Sequence, residues 1–298
     1  MNNSTNDITM VVMLNHKGNS EKNIGLVLGG GGARGLAHIG VIKVLDEEGY
    51  KISHLAGCSM GGLISSLLAT GMSICEIERI ARRFSNTREI LKLIDRTPSR
   101  KGLLAGKNIR KYLSRYIPAD IKIEDARIPL VLNAVDLKTG CEIELREGNL
   151  LDGIMATTAV PGFFPPVEIG PYRLVDGGML DDVPVKCIKQ NKPDFIVAVD
   201  VHQNDAEWIQ SGKDLQYEHI PLPLPAFMQD FYRVEMIMTT TLIKINLEKY
   251  PPDLLVRPAI PPNVSLLFGF LKVQEIIQAG EEAMRERLPV LESLLQTK

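Results

Sequence analysis

The chain has 298 residues, of which 45% are apolar and 23% charged, and its formal net charge is −2 at pH 7. A dedicated nucleic-acid-binding protein would be strongly basic, so this composition argues against that class. The length suffices to bury one large hydrophobic core, and the sequence contains no internal repeat or low-complexity segment. We therefore expect one α/β domain of unusual length rather than two domains.

The first 23 residues are polar apart from a short apolar run at residues 10–14. They lack the basic start and the apolar core of about 7–15 residues that a secretory signal has. We predict that residues 1–23 are a flexible tail and that residues 24–298 form the single domain. The cysteines, at positions 58, 75, 141 and 187, lack metal-ligand spacing and are typical of reduced thiols in a cytoplasmic protein.

A glycine-rich loop follows the first apolar run. Ile24–Leu28 has the pattern of a buried strand, residues 29–35 read G-G-G-G-A-R-G, and residues 36–48 have the pattern of a helix. The sequence therefore predicts a strand, a loop whose backbone N–H groups face an anion, and a helix.

This loop has two interpretations. The spacing Gly30-x-Gly32-x-x-Gly35 is also the fingerprint of a dinucleotide-binding fold. That fold requires an acid about 20 residues further on, at the end of the second strand. The second strand-like run ends in Ser59 instead, which favours an oxyanion hole over a nucleotide site.

The second apolar run ends in a G-x-S-x-G motif, G-C-S-M-G at residues 57–61. Gly57 and Gly61 permit the tight strand-to-helix turn that exposes the hydroxyl of Ser59. The uncharged stretch at residues 52–75 is long enough to span a bilayer. Its glycines and serines instead predict a buried strand, a turn and a helix.

A third motif lies far downstream, where a short strand-like run ends in Asp176-Gly177-Gly178. Asp176 would lie on a tight turn at the end of that strand. Just before it, residues 156–166 read A-T-T-A-V-P-G-F-F-P-P, a proline-rich loop that cannot continue a helix. Asp-Gly is also common in a plain hairpin turn, so this motif alone leaves both interpretations open.

The order of these motifs resembles the patatin-like phospholipases, which have G-G-G-x-R-G, then G-x-S-x-G, then a proline-rich stretch and then D-G-G. The resemblance covers residues 24–200, and the shared order of the motifs makes it specific. It implies a three-layer α/β fold in which helices flank a mostly parallel central sheet. It also implies a serine esterase that acts on lipid esters and needs neither a cofactor nor a metal.

The resemblance also implies a role for each motif. Ser59 matches the nucleophile and Asp176 the base of a Ser-Asp dyad, with no histidine required. The backbone amides of Gly30, Gly31 and Gly32, with Arg34 beside them, match the oxyanion hole. The remaining glycines of the matched motifs are Gly35, Gly57, Gly61, Gly177 and Gly178.

The identity of the base has an alternative. A carboxylate with an ordinary pKa near ~3.9 is a poor base, so burial would have to raise the pKa of Asp176. A triad in the order Ser, acid, His would recruit a downstream histidine, and His202 follows a strand-like run at residues 195–200. We expect His38, on the helix after the glycine loop, to pack rather than to catalyse.

The remaining segments alternate between helical and strand-like patterns. Helices are predicted at residues 74–94, 108–116, 150–157 (with Asp152 as its cap), 231–247 and 271–295, the last broken near Pro289. Strands are predicted at residues 130–136, 141–146, 195–200 and 254–256. Such alternation is typical of a mostly parallel sheet covered on both faces.

Some segments are candidates for a lipid interface. Residues 96–116 carry many basic side chains and no acid, and residues 264–271 form an apolar patch. The proline-rich residues 219–231 are typical of a lid or binding loop. The competing interpretations are a solvated basic face, a core segment and a plain connector.

We therefore expect a cytoplasmic serine acyl-ester hydrolase of the phospholipase A or lysophospholipase type, with transient contact with the membrane surface. The alternatives are a thioesterase or small-ester hydrolase that never meets a bilayer, and a non-catalytic lipid-binding regulatory protein of the same fold. The expected ligand is a lipid or other ester, no nucleic acid is expected, and the sequence leaves a homo-oligomer open.

Overall fold

The computed structural model describes residues 23–93, 95, 105–202, 226–261, 264 and 269–297. The predicted tail up to residue 22, the basic residues 96–101 and the first part of the predicted lid, residues 219–225, lie outside the described residues. The strands of the described part are β1 (Ile24–Leu28), β2 (Ile52–Gly57), β3 (Leu130–Asp136), β4 (Glu142–Leu145), β5 (Val167–Ile169), β6 (Tyr172–Asp176), β7 (Phe195–Val199) and β8 (Leu254–Val256).

The strands form one sheet in the order β5-β6-β3-β2-β1-β7-β8, and β4 pairs with β3 outside this path. Strands β3, β2, β1, β7 and β8 are parallel neighbours. Strands β4 and β6 run antiparallel to β3, and β5 forms a hairpin with β6. The predicted mostly parallel sheet is therefore confirmed.

Helices cover both faces of this sheet. They are α1 (Ala37–Glu47), α2 (Ser59–Ala69), α3 (Ile74–Arg82), α4 (Thr87–Leu93), α5 (Lys107–Leu113), α6 (Leu150–Thr157), α7 (Val185–Lys189), α8 (Ala226–Lys249) and α9 (Val273–Thr297). The buried strand β1 shows why two cores form: Leu26 and Leu28 pack with α1, α2 and α9, whereas Val27 packs with α7 and α8. Successive side chains of a strand point to opposite faces, so an apolar strand needs cover on both.

Most predicted elements lie close to their observed positions. The bounds of β3, α6 and β8 coincide with the predicted ranges. Strand β4 is one residue shorter than predicted at each end, and β7 is one residue shorter at its C-terminal end. The described part of the helix predicted at residues 74–94 forms α3 and α4, which are separated by a short 3-10 turn. The sequence analysis missed β5, a strand of three residues that is too short for a periodic signal.

Two predicted details are wrong. The closing helix α9 continues through Pro289 instead of breaking there. Pro289 and Arg285 are exposed residues, so the hydrogen bond that Pro289 cannot donate to the Arg285 carbonyl is lost on the solvent-facing side of the helix. The cap of α6 is Asn149, whose Oδ1 accepts the backbone N–H of Asp152 at 3.1 Å, and not Asp152 itself.

The helix predicted at residues 231–247 begins earlier. Helix α8 starts at Ala226, so the last part of the predicted lid belongs to this helix. None of the helices in the described residues is long and apolar enough to cross a membrane. The uncharged residues 52–75 form β2, the turn after it, α2 and the start of α3, as predicted.

Candidate active site

The turn at Ser59 joins β2 directly to α2. Ser59 has a backbone φ of 49°, in the left-handed region that residues other than glycine rarely adopt. A Cβ at Gly57 would overlap the backbone of Gly61, and a Cβ at Gly61 would overlap the carbonyl oxygens of Leu28 and Gly29. Only glycine fits at both positions, so the chain turns sharply and presents the Ser59 side chain at the N-terminus of α2.

Ser59 and Asp176 are hydrogen-bonded. The Ser59 Oγ donates to Asp176 Oδ2 at 2.7 Å, although 117 residues separate the two in the chain. Strand β3 explains the proximity, because it pairs with the end of β2 through Leu132 and with the end of β6 through Ala134. The carboxyl ends of β2 and β6 therefore meet along one edge of β3.

The Asp176 carboxylate is buried, with 3% of the residue exposed. Its Oδ1 accepts the Gly178 N–H at 2.9 Å and the Cys58 thiol at 3.5 Å. Burial raises the pKa of Asp176 to about 7, and the negative charge of Asp182 acts in the same direction, against the hydrogen bond from Ser59. The side chain can therefore exchange a proton near neutral pH.

The glycine loop lies beside this pair. The Gly29 N–H donates to the Val199 carbonyl and the Gly30 N–H to the Asp182 carbonyl, each at 3.0 Å. Within the described part of the chain, the structure shows no hydrogen-bond acceptor for the N–H groups of Gly31 and Gly32. These two residues have φ values of 132° and 53°, which favour glycine.

Arg34 anchors the loop from behind. Its side chain is buried, and its Nε donates to the Val264 carbonyl at 3.0 Å. Val264 belongs to the core and Phe270 packs against it, so the described part of the apolar patch at residues 264–271 is core. Arg34 therefore fixes the short 3-10 helix after the loop, Gly32–Leu36, to the segment that precedes α9.

The histidines His38 and His202 contact groups other than Ser59 and Asp176. His202 Nδ1 is 3.4 Å from Asp182 Oδ2 and 3.6 Å from Asp200 Oδ1. The Nε2–H of His38 donates to the Gly29 carbonyl at 2.7 Å. Burial lowers the pKa of His38 to about 4, so the ring is neutral at physiological pH and supports the glycine loop.

Several residues at the site escaped the sequence analysis. Thr157 Oγ1 accepts the Ser59 N–H at 3.0 Å, and the Cys58 thiol donates to Asp176 Oδ1 at 3.5 Å. Asp182 borders the glycine loop. Thr157 lies on α6 and Asp182 follows the D-G-G turn, and no local pattern distinguishes them from ordinary helix and turn residues.

Comparison with known proteins identifies the family of this site. Residues 26–186, which include the glycine loop, the serine turn and the D-G-G turn, match the model of the patatin-like phospholipases. The chain belongs to the patatin-like phospholipase family. This membership favours the oxyanion-hole interpretation of the glycine loop over the dinucleotide-binding one.

Relatives of the chain occur in bacteria, insects and fungi. An uncharacterised NTE family protein of Mycobacterium tuberculosis is 37% identical over 190 residues, which are 64% of this chain and 52% of the relative. The neuropathy target esterase of Drosophila melanogaster is 32% identical over 64% of this chain and 14% of its own length. Lysophospholipase NTE1 of Candida albicans is 27% identical over 88% of this chain and 20% of its own length. The chain thus spans about half the length of the mycobacterial relative and a smaller share of the others.

Two solved structures are more distant. VipD of Legionella pneumophila is 14% identical with a TM-score of 0.40, over 75% of this chain and 67% of that chain. The ExoU–SpcU complex of Pseudomonas aeruginosa matches with 14% identity and a TM-score of 0.38, over 90% of this chain and 52% of that chain.

Proposed function

We propose that this protein is a serine acyl-ester hydrolase of lipid esters, with Ser59 as the nucleophile and Asp176 as the base. The observation that carries the proposal is the 2.7 Å hydrogen bond from Ser59 Oγ to Asp176 Oδ2. A nucleophile needs a base within hydrogen-bond reach, and this pair meets that requirement with the serine on a strained turn.

The reaction has two halves. Ser59 Oγ attacks the ester carbonyl carbon while its proton passes to Asp176, and the carbonyl oxygen becomes an oxyanion. The tetrahedral intermediate collapses, the bond to the alcohol breaks, and Asp176 returns the proton to the leaving alkoxide. A water molecule then loses a proton to Asp176 and attacks the acyl-Ser59 ester. The bond between the acyl carbon and Ser59 Oγ breaks, Asp176 returns the proton to Oγ, and the fatty acid is released.

A carboxylate is suited to this role only if its basicity is raised. Burial raises the pKa of Asp176 to about 7, so the group is mostly ionised at pH 8 and still accepts a proton readily. An aspartate exposed to water has a pKa near ~3.9, and its carboxylate is too weak a base for this role. In this proposal, burial of Asp176 and the nearby charge of Asp182 make the histidine of a triad unnecessary.

We assign the oxyanion hole to the amides of Gly31 and Gly32. The Gly30 N–H already donates to the Asp182 carbonyl, so Gly30 contributes the shape of the loop. Preorganised N–H donors stabilise the developing negative charge, and loss of one such donor typically costs about 10²–10³ in rate. The N-terminal dipole of α2, which begins at Ser59, acts on the same charge.

The proposed substrate class is a lysophospholipid or another long-chain ester. It is supported by family membership and by the names of the Drosophila esterase and the Candida lysophospholipase. We expect a fluorophosphonate probe to label the wild-type protein. We also expect hydrolysis of lysophosphatidylcholine and of p-nitrophenyl esters of graded chain length, measured as released fatty acid and nitrophenol.

The outcomes separate the alternatives. Labelling with activity on short esters alone would make the protein a soluble small-ester hydrolase. Absence of labelling in a folded sample would contradict an activated serine and would favour a non-catalytic lipid-binding protein.

We further propose that α5 contacts anionic lipid surfaces. Lys107, Lys111 and Arg115 are exposed, and the described residues supply no acidic partner for them, whereas Arg110 pairs with Asp152. Arg115 lies 5.6 Å from the centre of the Tyr112 ring. Basic side chains near anionic headgroups contribute about 1 kcal/mol each, so this surface would supply weak and transient attachment.

Vesicle sedimentation tests this contact. The protein should bind phosphatidylcholine vesicles that contain phosphatidylglycerol more tightly than pure phosphatidylcholine vesicles. Reversing two charges with Lys107→Glu and Lys111→Glu should weaken binding at least about tenfold without changing hydrolysis of a short soluble ester. The matched control is Lys51→Glu with Lys244→Glu, two exposed lysines elsewhere; an equal loss in both double variants would contradict a specific surface.

A further inference from the structure

Asp182 lies between the two glycine-rich turns of the site. The residue is 5% exposed, and a Cβ added at Gly30 or at Gly178 would overlap its Oδ1. Its backbone carbonyl accepts the Gly30 N–H at 3.0 Å. The Gly178 N–H in turn donates to Asp176 at 2.9 Å. Asp182 therefore contacts both the loop that carries the free amides and the turn that holds the proposed base.

The Asp182 carboxylate belongs to a buried group of charges. His202 Nδ1 lies between it and Asp200, at 3.4 Å from Asp182 Oδ2 and 3.6 Å from Asp200 Oδ1. Arg257 Nε donates to Asp200 Oδ2 at 2.9 Å. Burial alone would raise the pKa of Asp200. The contacts with His202 and Arg257 outweigh burial and lower this pKa to about 2, so Asp200 is ionised at neutral pH.

Other titratable groups surround this cluster from each neighbouring element. Asp182 interacts with Asp176 at the end of β6, Cys58 after β2, His202 after β7 and the adjacent Asp181. His38 on α1 and Arg257 after β8 interact with Asp200, and His38 also with His202. Burial raises the pKa of the Cys58 thiol and lowers that of His38, so both are uncharged at neutral pH. Burial raises the pKa of Asp181 to about 8, and the groups that interact with it are Glu142, Asp182, Asn246 and Lys186.

We propose that Asp182 is a positioning residue for the Ser59–Asp176 pair, which packs the glycine loop against the D-G-G turn and acts on Asp176 through its negative charge. The inference rests on the proposed function, because it concerns the same base. Asp182 touches no substrate atom in this role. Asp182 fixes the orientation of the Gly31 and Gly32 amides and increases the basicity of Asp176.

A negative neighbour makes a carboxylate harder to ionise. Together with burial, the charge of Asp182 raises the pKa of Asp176 to about 7. An uncharged side chain at position 182 would therefore lower the pKa of Asp176, and the base would become weaker. In its protonated form His202, 3.4 Å from Asp182 Oδ2, offsets part of the negative charge of Asp182, so removal of His202 would raise the pKa of Asp176 instead.

The test is the pH dependence of kcat/KM on a short soluble ester. The acid limb is the fall of kcat/KM at low pH, where protonation of Asp176 removes the base. In Asp182→Asn, which keeps the size of the side chain, this limb should move to lower pH by about half a unit or more. We expect kcat to fall about tenfold while KM changes less than twofold. In His202→Asn, which keeps a donor near the position of Nδ1, the acid limb should move to higher pH.

The matched control is Asp181→Asn, which removes an adjacent buried carboxylate; burial and Glu142 raise its pKa to about 8, so it is mostly uncharged where Asp176 titrates. Its acid limb should stay at the wild-type pH. An unchanged acid limb in folded Asp182→Asn would overturn the proposal. If that variant does not fold, an unmoved or downward-shifted limb in His202→Asn would overturn it equally. An inactive, unlabelled wild type would instead contradict the proposed function itself.

Discussion

Replacement of Ser59 by alanine should abolish hydrolysis and fluorophosphonate labelling. The substitution removes the attacking oxygen, so only the residual catalysis of the oxyanion hole and substrate binding would remain. We expect kcat to fall by about 10⁴–10⁶-fold, measured with a p-nitrophenyl ester under saturating conditions. The fold should persist, because the Ser59 N–H keeps its acceptor, Thr157 Oγ1.

Ser65→Ala is the matched control for this experiment. Ser65 lies on the same helix, α2, is fully buried, and its hydroxyl has no hydrogen-bond partner among the described residues. Its loss should leave both labelling and kcat within about twofold of the wild type. Near-wild-type turnover in folded Ser59→Ala would refute the assignment of the nucleophile.

Asp176→Asn should reduce kcat by about 10⁴-fold, because the amide keeps the shape of the side chain but cannot accept the Ser59 proton. The wild type should lose kcat/KM as the pH falls below about 7, since protonation of Asp176 removes the base. In the variant the residual rate should no longer show this acid limb. Both quantities can be read from one pH profile on a short soluble ester.

His202→Asn separates the dyad from a triad. His202 contacts Asp182 and Asp200, so its replacement should lower kcat less than about tenfold at pH 9, above the acid limb. An active Asp176→Asn together with an inactive, folded His202→Asn would transfer the role of the base to the histidine.

Instability is not the expected cause of lost activity in Asp176→Asn. The pKa of Asp176 is about 7 in the folded protein, above its usual value of 3.8, so the folded state resists its ionisation. Such a group lowers the free energy of unfolding as the pH rises from about 4 to 7. Its removal should leave the melting temperature at pH 8 unchanged or raised, which thermal denaturation would check.

Local patterns in the sequence sufficed to predict the elements that carry the site. The apolar runs predicted β1 and β7, and the glycines around Ser59 predicted a strand-to-helix turn, because only glycine allows such close backbone contacts. Strand and helix periodicity depend on residues a few positions apart, so a single sequence reports them well. Pro289 misled this reasoning, since its effect depends on whether the freed carbonyl of Arg285 faces water or protein.

The sequence by itself determined the order of the motifs, the family resemblance and the candidate nucleophile and base. Only the tertiary structure decided how they meet. The pairing of β3 with both β2 and β6 brings Asp176 to Ser59, burial raises the pKa of Asp176 to about 7, and the contact with Asp182 occupies the Gly30 amide. Strand register, burial and hydrogen-bond partners depend on contacts between segments that are distant in the chain, such as the 117 positions between Ser59 and Asp176, and no local pattern encodes them.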